Sequence, residues 1–88
     1  MRHQSHPDVI KRLRQAHGHL ATILTMFEEN RSCPELAQQL QAVESTIHNA
    51  KRALIQDHME HCIGDARDNG EMDGDQALRE FKALAKYL

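Results

Sequence analysis

Among the seven histidines and two cysteines of this 88-residue chain, His58 and Cys62 stand four residues apart. On a helix that spacing projects both side chains from one face toward a common point. A soft thiolate beside an imidazole is half of a transition-metal site, and two ligands are too few to complete it. Cys33 lies 25 residues before His58, about 37 Å away along a straight helix. It cannot meet His58 within one subunit. Two such helices paired antiparallel would set Cys33 of one beside His58 and Cys62 of the other, giving three ligands at each end of a dimer. A plainer account stands beside this one: single cysteines on helices usually pack as small hydrophobes, and single histidines usually face solvent. His61, three residues past His58, reads either as a spare ligand or as a solvated neighbour. His3 and His6 sit on an N-terminal arm that could close over a site as a fourth ligand, or could simply be a frayed polar terminus. His17, His19 and His48 read as structural or surface residues.

The elements that must position these residues are helical. Residues 1–6 read as a mobile arm. Ser5-His6-Pro7-Asp8 is a helix start, with proline in the first turn and an acid near the positive end of the macrodipole. A first helix is expected over 7–29, carrying Ile10, Leu13, His17, Leu20, Leu24 and Phe27 at steps of three and four; Asn30-Arg31-Ser32 closes it. Ser32 and Glu35 then have capping-box spacing, with Pro34 between them. A second helix is expected over 33–63, because neither Gly nor Pro interrupts Glu35 to Ile63. Leu36, Leu40, Val43, Ile47, Ala50 and Leu54 alternate steps of four and three along it, a heptad seam. Such a helix is about 44 Å long, whereas a lone globule of this size has a radius of gyration of about 12 Å. The helix therefore needs a partner along its length, and an oligomer is expected. A Gly- and Asp-rich loop over 64–74 precedes a short amphipathic helix over 75–88. The loop superficially resembles a calcium loop but fails as one, with Arg67 where an oxygen ligand is required and Gln76 in place of the final Glu. The expected fold is all-α, one domain over 1–88 with three helices per subunit.

Composition narrows the function. One Tyr, two Phe and no Trp mean an aliphatic core and no aromatic platform for single-stranded nucleic acid. Sparse Gly and Pro argue against an all-β chain. No apolar run reaches the ~18 residues of a membrane span, and the residues after Met1 contain no apolar signal segment; a cytosolic protein is expected, with thiols serving metals or redox chemistry. The formal net charge of −2 hides an asymmetry. Arg2, Lys11, Arg12 and Arg14 oppose only Asp8 at the start, while residues 57–75 are strongly acidic. Helix-borne Lys11, Arg12 and Arg14, with Lys51 and Arg52 midway along the second helix, suit phosphate contacts from the surface of an oligomer. No helix-turn-helix, zinc-finger or RRM signature is present.

The segments Lys11-Arg12-Leu13, Gly18-His19-Leu20, Cys33, Gln39-Leu40-Gln41-Ala42-Val43 and Asp57-His58-Met59-Glu60-His61-Cys62 together resemble the copper-sensing operon repressor (CsoR) family, which also includes nickel/cobalt, formaldehyde and persulfide sensors. The resemblance runs from about His6 to Tyr87. It implies a DNA-binding repressor whose three-helix subunits form antiparallel dimers, pairing into a disc-like homotetramer (a dimer of dimers) that releases operator DNA when metal fills an intersubunit Cys/His/Cys site. Cys33, His58 and Cys62 fall on the ligand positions, Arg12 and Arg52 on basic positions associated with DNA, and Glu80 on an acid behind the metal-bound histidine in the copper branch.

This chain departs from each branch somewhere. Ser32 stands where the copper branch often carries Tyr. His3 falls about two residues from the N-terminal histidine of the nickel/cobalt branch. Arg2 replaces the Pro of the formaldehyde branch, and His58 is absent from persulfide sensors. The reading that follows is a metal-responsive transcriptional repressor, not an enzyme, with no membrane association. Two thiolates and one imidazole suit Cu(I). The alternative is Ni(II) or Co(II) with His3 or His6 as an added ligand; from another class, it is a zinc-binding helical oligomer with no DNA role.

Overall fold

A computed structural model describes residues 6–64 and 74–88, the side chains of Cys62 and Ile63 excepted. Three helices account for nearly all of it: α1 (His6–Glu28), α2 (Cys33–Gly64) and α3 (Gly74–Ala85). No strand occurs among the described residues. None of the helices is long and apolar enough to cross a membrane. His6 belongs to α1 rather than to the segment before it, while His3 and the residues between Gly64 and Gly74 lie outside the described part.

The reversal between α1 and α2 is built from local chemistry. Asn30 adopts the left-handed conformation, φ 57°, which asparagine tolerates better than most residues. Around it the Arg31 N–H bonds the Met26 carbonyl and the Asn30 N–H bonds the Phe27 carbonyl, both at 3.1 Å. That pair is a Schellman closure of α1. Two residues later Ser32 caps α2, its Oγ accepting the Glu35 N–H at 3.3 Å. Arg31 braces the cap from outside, donating from Nε to Glu35 at 2.9 Å. This hydrogen bond and then the charge of Glu35 raise the Arg31 pKa above its ordinary value.

So tight a connection makes α1 and α2 an antiparallel hairpin. Val9, Ala16, Ile23 and Met26 of α1 are buried, as are Leu36, Val43, Ala50 and Ile55 of α2; Ala16, Ile23 and Val43 form its central cluster. The α1 stripe read from periodicity is therefore not the buried one. Leu13, Leu20, Leu24 and Phe27 remain 41–66% exposed. Small Ala16 lets α2 approach closely, and the heavier residues one step around the helix are turned away. The heptad seam of α2 divides likewise: Leu36, Val43 and Ala50 face α1, whereas Leu40, Ile47 and Leu54 stay open.

At 32 residues against 23, α2 outruns α1 by about 14 Å, and α3 packs against α2. The molecule measures 57 × 23 × 12 Å, hardly more than one layer of helix in its thinnest direction. Domains ordinarily need a second layer to enclose a core. This chain leaves a long apolar face uncovered.

Candidate metal centre

His58 lies in the part of α2 that extends past α1, half-buried, and α3 brings Glu80 to it. Their side chains meet at 2.8 Å, His58 Nε2 to Glu80 Oε2. An ionised carboxylate can only accept, so Nε2 carries the proton and donates it to Glu80. The lone pair of the neutral ring is then on Nδ1, the tautomer that a carboxylate behind a ligating histidine enforces.

Cys33 is the first residue of α2, exposed and with a free thiol. Within the chain it and His58 are kept apart by 25 residues of unbroken helix, about 37 Å. Among the described residues no three His, Cys, Asp or Glu side chains gather as a metal would require. Cys62 is helical, one turn beyond His58, with its side chain outside the description; His61 is half-buried on the same stretch. His6 is exposed at the first residue of α1. The structure thus brings Glu80 to His58 and does not bring Cys33 to either.

What joins the two ends is a second stripe on α2. Cys33, Ala37, Leu40, Glu44, Ile47, Lys51, Leu54 and His58 follow one another at alternating steps of four and three. From Cys33 to Leu54 every one of them is exposed.

The basic residues share one end of the hairpin. Lys11 and Arg14 are exposed on α1, and the antiparallel course of the helices puts exposed Lys51 and Arg52 at the same end as the first turns of α1. Arg12 is half-buried and tied to Asp8, Nε to Oδ2 at 2.8 Å. The acid-then-base spacing of four residues is a readable sign of that pair. His19, read only as structural or surface from the sequence, bridges the helices by bonding Gln39 Oε1 at 2.7 Å.

Comparison with known proteins bears on the same residues. The family model described as "Metal-sensitive transcriptional repressor" matches residues 5–87. The copper-sensing transcriptional repressor CsoR of Bacillus subtilis (strain 168) is 33% identical over 78 residues, covering 89% of this chain and 75% of that one. The copper-sensing transcriptional repressor RicR of Mycobacterium tuberculosis (strain ATCC 25618 / H37Rv) is 31% identical over 85 residues, 97% of this chain and 88% of that one. Among solved structures, the nickel-responsive transcriptional regulator InrS superposes with a TM-score of 0.85 at 32% identity, over 99% of this chain and 96% of that one. A match of fold and sequence along almost the whole length, to regulators rather than enzymes, leads to one conclusion: the chain belongs to the metal-sensitive transcriptional repressor family.

Proposed function

We propose that this protein binds operator DNA in its metal-free form and releases it when Cu(I) is held between subunits by Cys33 of one and by His58 and Cys62 of another. The observation that carries the reading is the open stripe of α2, with Cys33 at one end and His58 at the other. Antiparallel pairing of two such stripes covers Leu40, Ile47 and Leu54 and sets Cys33 beside the partner subunit's His58–Cys62 turn. The separate apolar row on α1, Leu13, Leu20, Leu24 and Phe27, offers a further interface, enough for two dimers to join as a tetramer.

The donor set suits the metal. When bound, Cu(I) supplies a soft centre that accepts two thiolates and an imidazole. Glu80 orients the His58 ring for this and holds its Nε2 proton. Lys11, Arg12, Arg14 and Arg52 neutralise phosphates on the duplex. Because the ligands come from different subunits, their convergence favours one arrangement of helices over another, and DNA affinity follows by linkage. The second reading, Ni(II) or Co(II), draws support from the nickel-responsive structural relative and from exposed His6, with His3 as a further donor.

An anaerobic titration of the protein bound to promoter DNA upstream of its own gene tests both. Cu(I) at one equivalent per subunit should release the DNA, and Cys33→Ala should abolish release. Deleting residues 1–6 should leave the copper response unchanged. Release by nickel or cobalt but not copper, lost on that deletion, would establish the second reading. Zinc binding with no affinity for DNA would overturn both in favour of a helical metal-binding oligomer.

A further inference from the structure

The stripe that carries Cys33 and His58 also holds two opposite charges where an interface core would be. Glu44 and Lys51 flank Ile47 on it, with Leu40 and Leu54 beyond. Both are exposed and border a groove of about 510 Å³ that Gln41, Ser45 and His48 also line. Among the described residues no hydrogen bond or ion pair engages Glu44 or Lys51. On the single chain both charges face solvent, and no partner among the described residues accounts for their interrupting the stripe of Leu40, Ile47 and Leu54.

A second copy does. In the antiparallel pairing proposed above, on which this inference rests, the two-fold axis crosses α2 midway between Cys33 and the His58–Cys62 turn. That point falls in the turn from Ser45 to His48. Glu44 and Lys51 straddle it, three residues before and four after Ile47. Glu44 of one subunit therefore lies level with the partner subunit's Lys51, just as Cys33 lies level with the partner subunit's Cys62.

We infer that Glu44 and Lys51 form two reciprocal salt bridges across the subunit axis, and that these select the antiparallel register on which the shared metal site depends. A parallel pairing of the same stripes would set Glu44 against Glu44 and Lys51 against Lys51. A slip of the antiparallel pairing by one heptad would set Glu44 against Glu44 or Lys51 against Lys51, according to its direction. Polar residues at core positions of paired helices are best known for this role: they fix register and orientation rather than add stability. Lys51 accordingly faces the partner subunit instead of DNA.

Charge exchange tests this on the full-length protein by sedimentation equilibrium, with circular dichroism reporting helix content. Glu44→Lys and Lys51→Glu each oppose like charges, and each should raise the dimer dissociation constant at least about tenfold. The double variant E44K/K51E restores opposite charges and should return to within about threefold of the unaltered protein. Single variants that assemble like the unaltered protein, or a double variant no better than the singles, would overturn the inference. A monomeric unaltered protein would instead remove the antiparallel pairing beneath it, so the two failures are distinct.

Discussion

His58 and Glu80, 22 residues apart in sequence, meet through a 2.8 Å hydrogen bond that ties α3 to the far end of α2. The orientation of the imidazole thus depends on how α3 docks. Whatever shifts α3 turns the ring, and whatever claims the ring's other nitrogen strains or steadies α3.

Glu80→Gln should therefore weaken Cu(I) binding by about 10- to 100-fold, the usual cost of losing the carboxylate behind a ligating histidine. Competition against a Cu(I) chelator measures it. DNA binding by the metal-free protein should be unchanged; an unaltered copper affinity would remove Glu80 from the site.

Arg12 is tied to Asp8 and, under the proposed function, also meets DNA. Arg12→Ala should lower operator affinity and flatten its dependence on salt, by roughly 0.9 in the logarithmic slope for each phosphate no longer neutralised. Asp8→Asn should do the reverse to affinity, releasing the guanidinium from its 2.8 Å partner. Fluorescence anisotropy at several salt concentrations reads both; matching slopes for the Arg12 variant and the unaltered protein would place Arg12 off the DNA.

Ile23 is 2% exposed and Leu24 66% exposed, one residue apart on α1. Ile23→Ala should cost about 2–5 kcal/mol of folding stability by opening a cavity between the helices. Leu24→Ala should leave the hairpin within roughly 0.5 kcal/mol while weakening subunit association. Thermal melts over a hundredfold range of protein concentration separate them, since only the second change, by weakening association, makes the midpoint less dependent on concentration.

The half-buried His19–Gln39 bond joins α1 to α2. His19→Ala and Gln39→Ala should each destabilise by about 1–3 kcal/mol, since each strands a partly buried polar partner. The double variant should cost less than the sum of the two. Denaturant unfolding of the three variants checks it; strictly additive losses would mean the bond contributes nothing beyond its parts.

The helices themselves are legible from sequence because their ends carry local signals. Asn30, Ser32 and Glu35 announce a reversal whatever lies around them. Which face of α1 packs within its own chain is not legible, because Val9-Ala16-Ile23 and Leu13-Leu20-Phe27 both have helical spacing. The choice is decided by how closely α2 can approach Ala16, a property of two helices together. Cys33, His58 and Cys62 stand out by residue type and by the length of uninterrupted helix between them. Glu80 does not: no spacing relates it to His58, and only a family resemblance or the docking of α3 points to it.

The extra length of α2 has a consequence for how the molecule breathes. Its last nine or so residues have α3 beside them instead of α1, so their amide hydrogens are guarded by a 12-residue helix rather than by the hairpin core. Such segments open locally at far lower free energy than the core around Val43. In hydrogen–deuterium exchange the amides from Leu54 to His61 should lose their protons well before those from Leu40 to Ala50. A ligand gripping His58 would slow that exchange in place, so under the proposed function the metal-holding segment would also be the one most readily reshaped by it.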